Sequence, residues 1–257
     1  MEVSLINFTK NARELLIFTK NTRHLSGESR FEDVLDMTER AKNEELDYVF
    51  NTISSSWEFV NYTFLLQDVT RSMTHQTVRH RHMSFAQQSL RVFPAESFKY
   101  FIPDKLEKEK FQLAIYDATM SQTQENYNLM LEHGVNVQDA RGVLPMNICT
   151  NIIVGANLRS LSSLMETRLC VRAQGEFQMA AMLMRNLVVD VHPWAEKVLA
   201  PLCVTKGTCM FPRFTGCPLK NKYEHLQPTN DYLTGRVKSD WKVLMDKQFS
   251  PQPEQQK

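Results

Sequence analysis

The sequence predicts an α+β protein, with a mixed sheet and long helices, on three observations. Apolar, β-branched and aromatic runs of strand length stand at residues 14–19, 58–66 and 146–154. Apolar residues recur at helical spacing over 30–50, 69–78, 104–133, 157–169 and 173–189. The two kinds of segment do not alternate in the βαβ manner of a parallel sheet. With 42% hydrophobic and 23% charged residues, the chain can bury a sizeable core.

Each element has a local reason. ELLIFT (14–19) reads as a short strand. Residues 30–50 read as a helix, with Phe31, Val34, Leu35 and Met37 leading into the charged stretch Glu39–Glu45. EFVNYTFLL (58–66) is aromatic and β-branched and reads as a strand, followed by a helix over 69–78 bearing Val69, Met73 and Thr77 on one stripe. In the long helix 104–133, Asp104 is placed to cap the start and Gly134 stands where a helix-ending glycine belongs. MNICTNIIV (146–154) reads as a strand. Asn157 is then placed to cap a helix with Leu158, Leu161, Leu164, Met165 and Leu169 inward. The helix 173–189 carries Met179, Met182 and Met184, read as core filler. FSPQPEQQK (249–257) reads as a disordered tail.

Charge and hydropathy exclude several classes. Thirty basic residues against 29 acidic ones leave a net charge of +1, without the basic excess of a dedicated nucleic-acid binder. No apolar run reaches the ~18 residues of a membrane span. The start, MEVSLINFTK, lacks the apolar core of a signal peptide, so a cytosolic protein is expected. The five cysteines, Cys149, Cys170, Cys203, Cys209 and Cys217, are an odd number without a secretion signal, so no disulfide framework is expected. Cys203, Cys209 and Cys217 are spaced by five and seven residues. A zinc site there is an open alternative to reduced thiols in a loop.

The segment VTRSMTHQTVRHRHMSFAQQSLRVFPA (69–95) is the unusual one. It holds no carboxylate in 27 residues, where the chain average of 29 acids in 257 would place about three. It holds Arg71, Arg79, Arg81 and Arg91, no lysine, and His75, His80 and His82. Self-repulsion makes this costly unless an anion binds, and arginine points to forked recognition of phosphate or carboxylate. A solvated basic face is the plain alternative. A metal at His80-x-His82 lacks a third ligand and an orienting acid, and the arginines repel a cation. No GxGxxG, GxxxxGK[ST] or GxSxG motif is present.

Residue order goes further than composition. Arg79-His80-Arg81, then Ser89 after seven residues, then Arg91, resembles the RHR-x7-S signature of the flavin-dependent thymidylate synthases, the ThyX family. WEFVNYTF, fifteen residues before Arg79, with TRSMTHQ between, is similar to the family's EH-x-x-FTF and SRA-x-x-HQ blocks. DARGVLP (139–145) is similar to its ARxVLP. NLRSLSSLMETRLCVRAQGEF (157–177) is similar to its N-x-R-x-L … R … AQ-x-E helix. The likeness runs over about residues 50–190 in one order.

The resemblance implies a ThyX-type fold over residues 1–235, with 236–257 as a C-terminal extension, and a homotetramer with shared active sites. It implies reductive methylation of dUMP to dTMP, with FAD as cofactor, NADPH as reductant and 5,10-methylenetetrahydrofolate as methylene donor. By position, Arg79, His80, Arg81, Ser55, Glu58, Asn157, Arg159 and Ser163 would hold FAD. Gln76, Gln87, Gln88, Ser89, Arg91 and Arg141 would bind dUMP, and Arg168 would bind and polarise the pyrimidine. No covalent nucleophile, resident metal, nucleic acid or membrane partner is implied. Gln87, Gln138, Ser163, Arg172 and Gly175 depart from the family pattern. They leave a catalytically silent flavin- or nucleotide-binding relative as the alternative.

Overall fold

The computed structural model describes residues 1–23, 30–92, 94–217 and 219. The expected extension 236–257, with its tail 249–257, lies outside them. The described chain is α+β. Its sheet has four strands in the order β1-β2-β4-β3: β1 (Glu2–Phe8), β2 (Asn61–Thr70), β3 (Met83–Gln87) and β4 (Cys149–Asn157). It is antiparallel throughout, which corrects the expected mixed sheet. The register shows it: Leu158 N–H donates to Val60 O at one end of the β2–β4 pair and Arg71 N–H to Ile148 O at the other. Along β2, Tyr62, Phe64 and Leu66 are buried at alternate positions. Along β4, Thr150, Ile152, Val154 and Ala156 are.

Two compact units divide the chain, and β1, β2 and β4 each have residues in both. Unit 1 comprises Met1–Ser4 and Thr63–Gly155. It contains α4 (Arg71–Thr77), which Thr70 caps by accepting Met73 N–H at 3.0 Å. It also holds α5 (Asp104–Glu107), α6 (Lys110–Glu132) and α7 (Val137–Ala140). The single helix expected over 104–133 is thus two helices, and Pro103, not Asp104, takes the cap position of the first. At the far end the expectation holds. Gly134 has φ +83°, its N–H reaches Leu131 O, and Val135 N–H reaches Met130 O. This is the left-handed glycine turn that satisfies the last free carbonyls of a helix.

Unit 2 comprises Leu5–Tyr62 and the chain from Ala156 on. It holds α1 (Ala12–Asn21), α2 (Phe31–Leu35), α3 (Glu39–Thr52), α8 (Leu158–Arg168), α9 (Gly175–Val191) and α10 (Leu202–Thr205). The strand expected at 14–19 is therefore helix. Asn11, at φ +50°, turns the chain out of β1, and a helix buries Ala12, Leu16 and Ile17 on one side. The helix expected over 30–50 breaks before Thr38, whose hydroxyl caps α3 through Ala41 N–H at 3.3 Å. The strand expected from residue 58 starts only at Asn61, after a 3-10 turn over Ser54–Phe59. Asn157 caps α8 as expected, its Oδ1 accepting Ser160 N–H at 2.8 Å. Met182 and Met184 are buried in α9, whereas Met179 is exposed.

Candidate functional site

In unit 1 the arginine-rich segment folds as helix, turn and strand. After α4, Arg79 N–H reaches Gln76 O at 3.3 Å and His80 N–H reaches Thr77 O at 3.1 Å, closing a tight turn. His82 leaves it at φ +61°, a left-handed backbone that a side chain rarely adopts. Arg79-His80-Arg81 therefore sits in the turn. Arg79 and Arg81 are exposed there, and Arg79 Nη2 lies 3.4 Å from His75 Nε2. Gln76, on α4, is half-buried. Gln87, at the end of β3, donates its Nε2 to Thr74 Oγ1 at 3.0 Å and so ties the strand back to α4.

Beyond β3 the chain gathers three arginines. Ser89 Oγ accepts Arg91 N–H at 3.2 Å. Gln138 then holds two guanidiniums: its Oε1 accepts Arg91 Nε at 3.0 Å and its backbone carbonyl accepts Arg141 Nε at 3.1 Å. Arg71 Nη2 donates to Gln88 O at 2.9 Å, while its buried Nε has no hydrogen-bond partner among the described residues. Burial, and then the nearby positive charge of Arg141, pull Arg71 below the ordinary guanidinium value. Two cations so placed favour an anion between or beside them. Next to Gln88 lies a cavity of about 240 Å³ that Thr150 helps to line, its buried hydroxyl also unpartnered among the described residues.

The arginines of unit 1 share one feature. None of the five arginines of unit 1, Arg71, Arg79, Arg81, Arg91 and Arg141, pairs with a carboxylate among the described residues. In unit 2, Arg13 pairs with Glu39, Arg159 with Glu58 and the buried Arg185 with Glu196. Unpaired guanidiniums with forked donors suit phosphate oxygens.

Unit 2 carries the remaining expected residues. Glu58 and Arg159 meet each other in an ion pair of 2.6 Å, both about half exposed. Ser55 accepts a hydrogen bond from Arg23 Nη2 at 2.9 Å. Asn157 spends its side-chain oxygen on capping α8, and Ser163 lies exposed one turn along that helix. Arg168, at the end of α8, stacks its guanidinium 4.5 Å over the Phe177 ring, and burial lowers its pKa. Among the described residues, no three His, Cys, Asp or Glu side chains form a closed metal-binding group. No described helix is long and apolar enough to cross a membrane.

The sequence places Arg71 in the basic segment without assigning it a role, and marks Gln138 only as a departure from the family pattern. The acid-free composition around Arg71 is the one signal that points to it. For Gln138 there is none, because its contact with Arg91 spans 47 residues.

Comparison with known proteins identifies the family. The model of the family described as thymidylate synthase complementing protein matches residues 4–194. A flavin-dependent thymidylate synthase of Saccharolobus solfataricus is 33% identical over 208 residues, covering 79% of this chain and 78% of its own. That of Pyrococcus furiosus is 31% identical over 220 residues, covering 81% and 89%. That of Clostridium tetani is 30% identical over 226 residues, covering 81% and 90%. With a match over most of its length, and with relatives that align along most of theirs, the chain belongs to the flavin-dependent thymidylate synthase family.

Proposed function

We propose that this chain, as a homotetramer, makes dTMP from dUMP by reductive methylation, with FAD, NADPH and 5,10-methylenetetrahydrofolate. The observation that carries the reading is the set of five arginines in unit 1 without a carboxylate partner among the described residues. FAD and dUMP both bring phosphate, and the donor set fits them. The reading takes residues 1–235 as the synthase domain and 236–257 as an extension.

In this reading Arg79, His80 and Arg81 bind the flavin nucleotide from the turn after α4. Ser55, Glu58, Asn157, Arg159 and Ser163 are the further flavin-binding residues of this reading. Bound FAD supplies the hydride-transfer chemistry that no side chain can supply. Gln76, Gln87, Gln88, Ser89, Arg91 and Arg141 bind dUMP, and Arg71 joins them. Gln138 orients Arg91 and Arg141, so their forks are set before the nucleotide arrives; that removes part of the ordering cost of binding. Arg168 directs positive charge at the pyrimidine and stabilises the negative charge that develops there, which replaces activation by a thiolate.

The test is dTMP quantified with each of the four components omitted in turn. dTMP is expected only when all four are present. A folded, flavin-loaded protein that forms none would be the catalytically silent binding relative instead.

A further inference from the structure

The cavity of about 240 Å³ beside Gln88 is lined wholly by residues of unit 1. Its place relative to the arginines follows from the chain after β3. Gln88 and Leu90 line it, whereas Ser89 and Arg91, joined by the bond from Arg91 N–H to Ser89 Oγ, do not. Arg71 and Arg141 are not among its described lining either. Residues 88–91 therefore part the cavity from the arginine cluster, and Asn151 O fixes the start of this wall by accepting Gln88 N–H at 3.0 Å.

Two features of the lining are unfavourable in the empty cavity. Thr150 is 3% exposed, and its hydroxyl has no hydrogen-bond partner among the described residues. A buried hydroxyl in that state is destabilising, and a hydrogen bond from a bound molecule removes the penalty. Asp68, near the end of β2, stands at φ +52°, a strained backbone that persists only where its surroundings enforce it. Here Asn151 Oδ1 accepts Asp68 N–H at 3.1 Å, and Lys99 Nζ donates to Asp68 Oδ2 at 2.9 Å. Asp68, Lys99 and Asn151 all line the cavity, together with Thr150.

The lining also selects its occupant. Asp68 and Lys99 cancel each other's charge, so the cavity favours an uncharged molecule, and the Asp68 carboxylate repels a phosphate. Its volume falls below the roughly 300–1,000 Å³ of sites for larger ligands, which excludes FAD, NADPH and folate. Phe98 and Leu90 supply apolar surface on which a flat ring can stack. The hydroxyls of Ser97 and Thr150 and the carboxamide of Asn151 can hydrogen-bond ring carbonyls and sugar hydroxyls. We propose that this cavity is a second site, separate from the arginine cluster, that binds an uncharged pyrimidine nucleoside such as thymidine. No bond is made or broken in it.

Thymidine titrated calorimetrically into the full chain, with dUMP present in excess, tests this. Saturable binding is expected despite the dUMP. In the same samples, alkylation of Cys149 by iodoacetamide, followed by peptide mass spectrometry, should slow severalfold, because Cys149 lines the cavity. Cys209, in unit 2, should react at an unchanged rate. Thr150→Val keeps the side chain's shape without its hydroxyl and should weaken thymidine binding roughly 2- to 10-fold, the loss of one hydrogen bond. The wild-type protection of Cys149 stands even where the variant fails to fold. Absence of thymidine binding overturns the proposal. So does binding that dUMP displaces, which would put thymidine among the arginines, or binding that leaves Cys149 as reactive as before. None of these readouts needs turnover, so a protein that forms no dTMP but binds thymidine here would refute the proposed activity and leave this site standing.

Discussion

Single side chains divide into those that arrange the arginines and those that act on a ligand. Arg71 illustrates the first kind of demand: one donor goes to Gln88 O, another is buried without a partner among the described residues, and Arg141 adds repulsion. A phosphate would answer the last two at once, as acceptor and as counter-charge. Arg71→Gln is therefore expected to raise KM for dUMP roughly 10- to 100-fold, from a charged hydrogen bond worth about 1.5–3 kcal/mol, with flavin content unchanged. Steady-state kinetics with flavin absorbance checks it, and an unchanged KM would remove Arg71 from the dUMP site. Arg168 is different because its guanidinium stands over the Phe177 ring. Lysine keeps the charge but neither the fork nor the stacking. Arg168→Lys is expected to lower kcat for dTMP roughly 10- to 100-fold, again from the loss of about 1.5–3 kcal/mol. A wild-type rate in folded protein would mean that this arginine does not activate the pyrimidine.

Secondary-structure elements show which parts of a sequence speak for themselves. The central strands β2 and β4 are legible because burial on one face forces alternate apolar residues, Tyr62, Phe64 and Leu66 on one and Ile152, Val154 and Ala156 on the other. The edge strands β1 and β3 are not, since an edge strand pairs on one side only. MSFAQ of β3 is short, and neither it nor Glu2–Phe8 of β1 holds a fully buried residue. ELLIFT misleads because a short apolar run such as its Leu15–Phe18 suits a strand or a buried helix equally. Caps are easier: Asn157 and Gly134 act through their own backbone neighbours, so their meaning is local. Gly134, at φ +83° with open space around it, ends α6 by conformation alone. Gly134→Ala is expected to cost about 1 kcal/mol, the left-handed penalty of a side chain, and to lower Tm by roughly 2–4 °C. Thermal unfolding measures this, and an unchanged Tm would mean that the turn relaxes at no cost.

Stability and assembly belong to the whole molecule. His192 is buried against Trp194 and accepts or donates a 2.9 Å hydrogen bond with the Tyr62 hydroxyl. Burial depresses its pKa, although Glu14 partly offsets this. The unfolded chain thus binds the proton more readily than the native one. The stability from neutral His192 is full above the ordinary imidazole value of about 6.5 and is lost as pH falls below it toward the lowered native value. Tm should fall between pH 7 and pH 5, and His192→Gln, which cannot titrate, should flatten that part of the profile. An equally steep fall in the variant would assign the effect elsewhere. Assembly has its own test. If dUMP is shared between protomers, Arg91→Ala and Arg168→Ala should each be almost inactive alone. Refolded together they should regain a minority of wild-type activity. Mixed tetramers as inactive as their parents would put both arginines of a site on one chain.

By itself the sequence determined the class, the central strands, the glycine end of α6, the Asn157 cap of α8 and the family. Each of these is written in neighbouring residues: the alternation of a half-buried strand, a capping side chain three residues from its amide, an ordered RHR-x7-S run. Only the tertiary structure decided that Arg71, Arg91 and Arg141 gather around Gln88 and Gln138, and that the Cys170 turn meets a loop more than thirty residues later. Contacts of that kind depend on where the chain returns after a strand or helix. Return points are set by the packing of buried faces, a property of the folded molecule that no local pattern encodes.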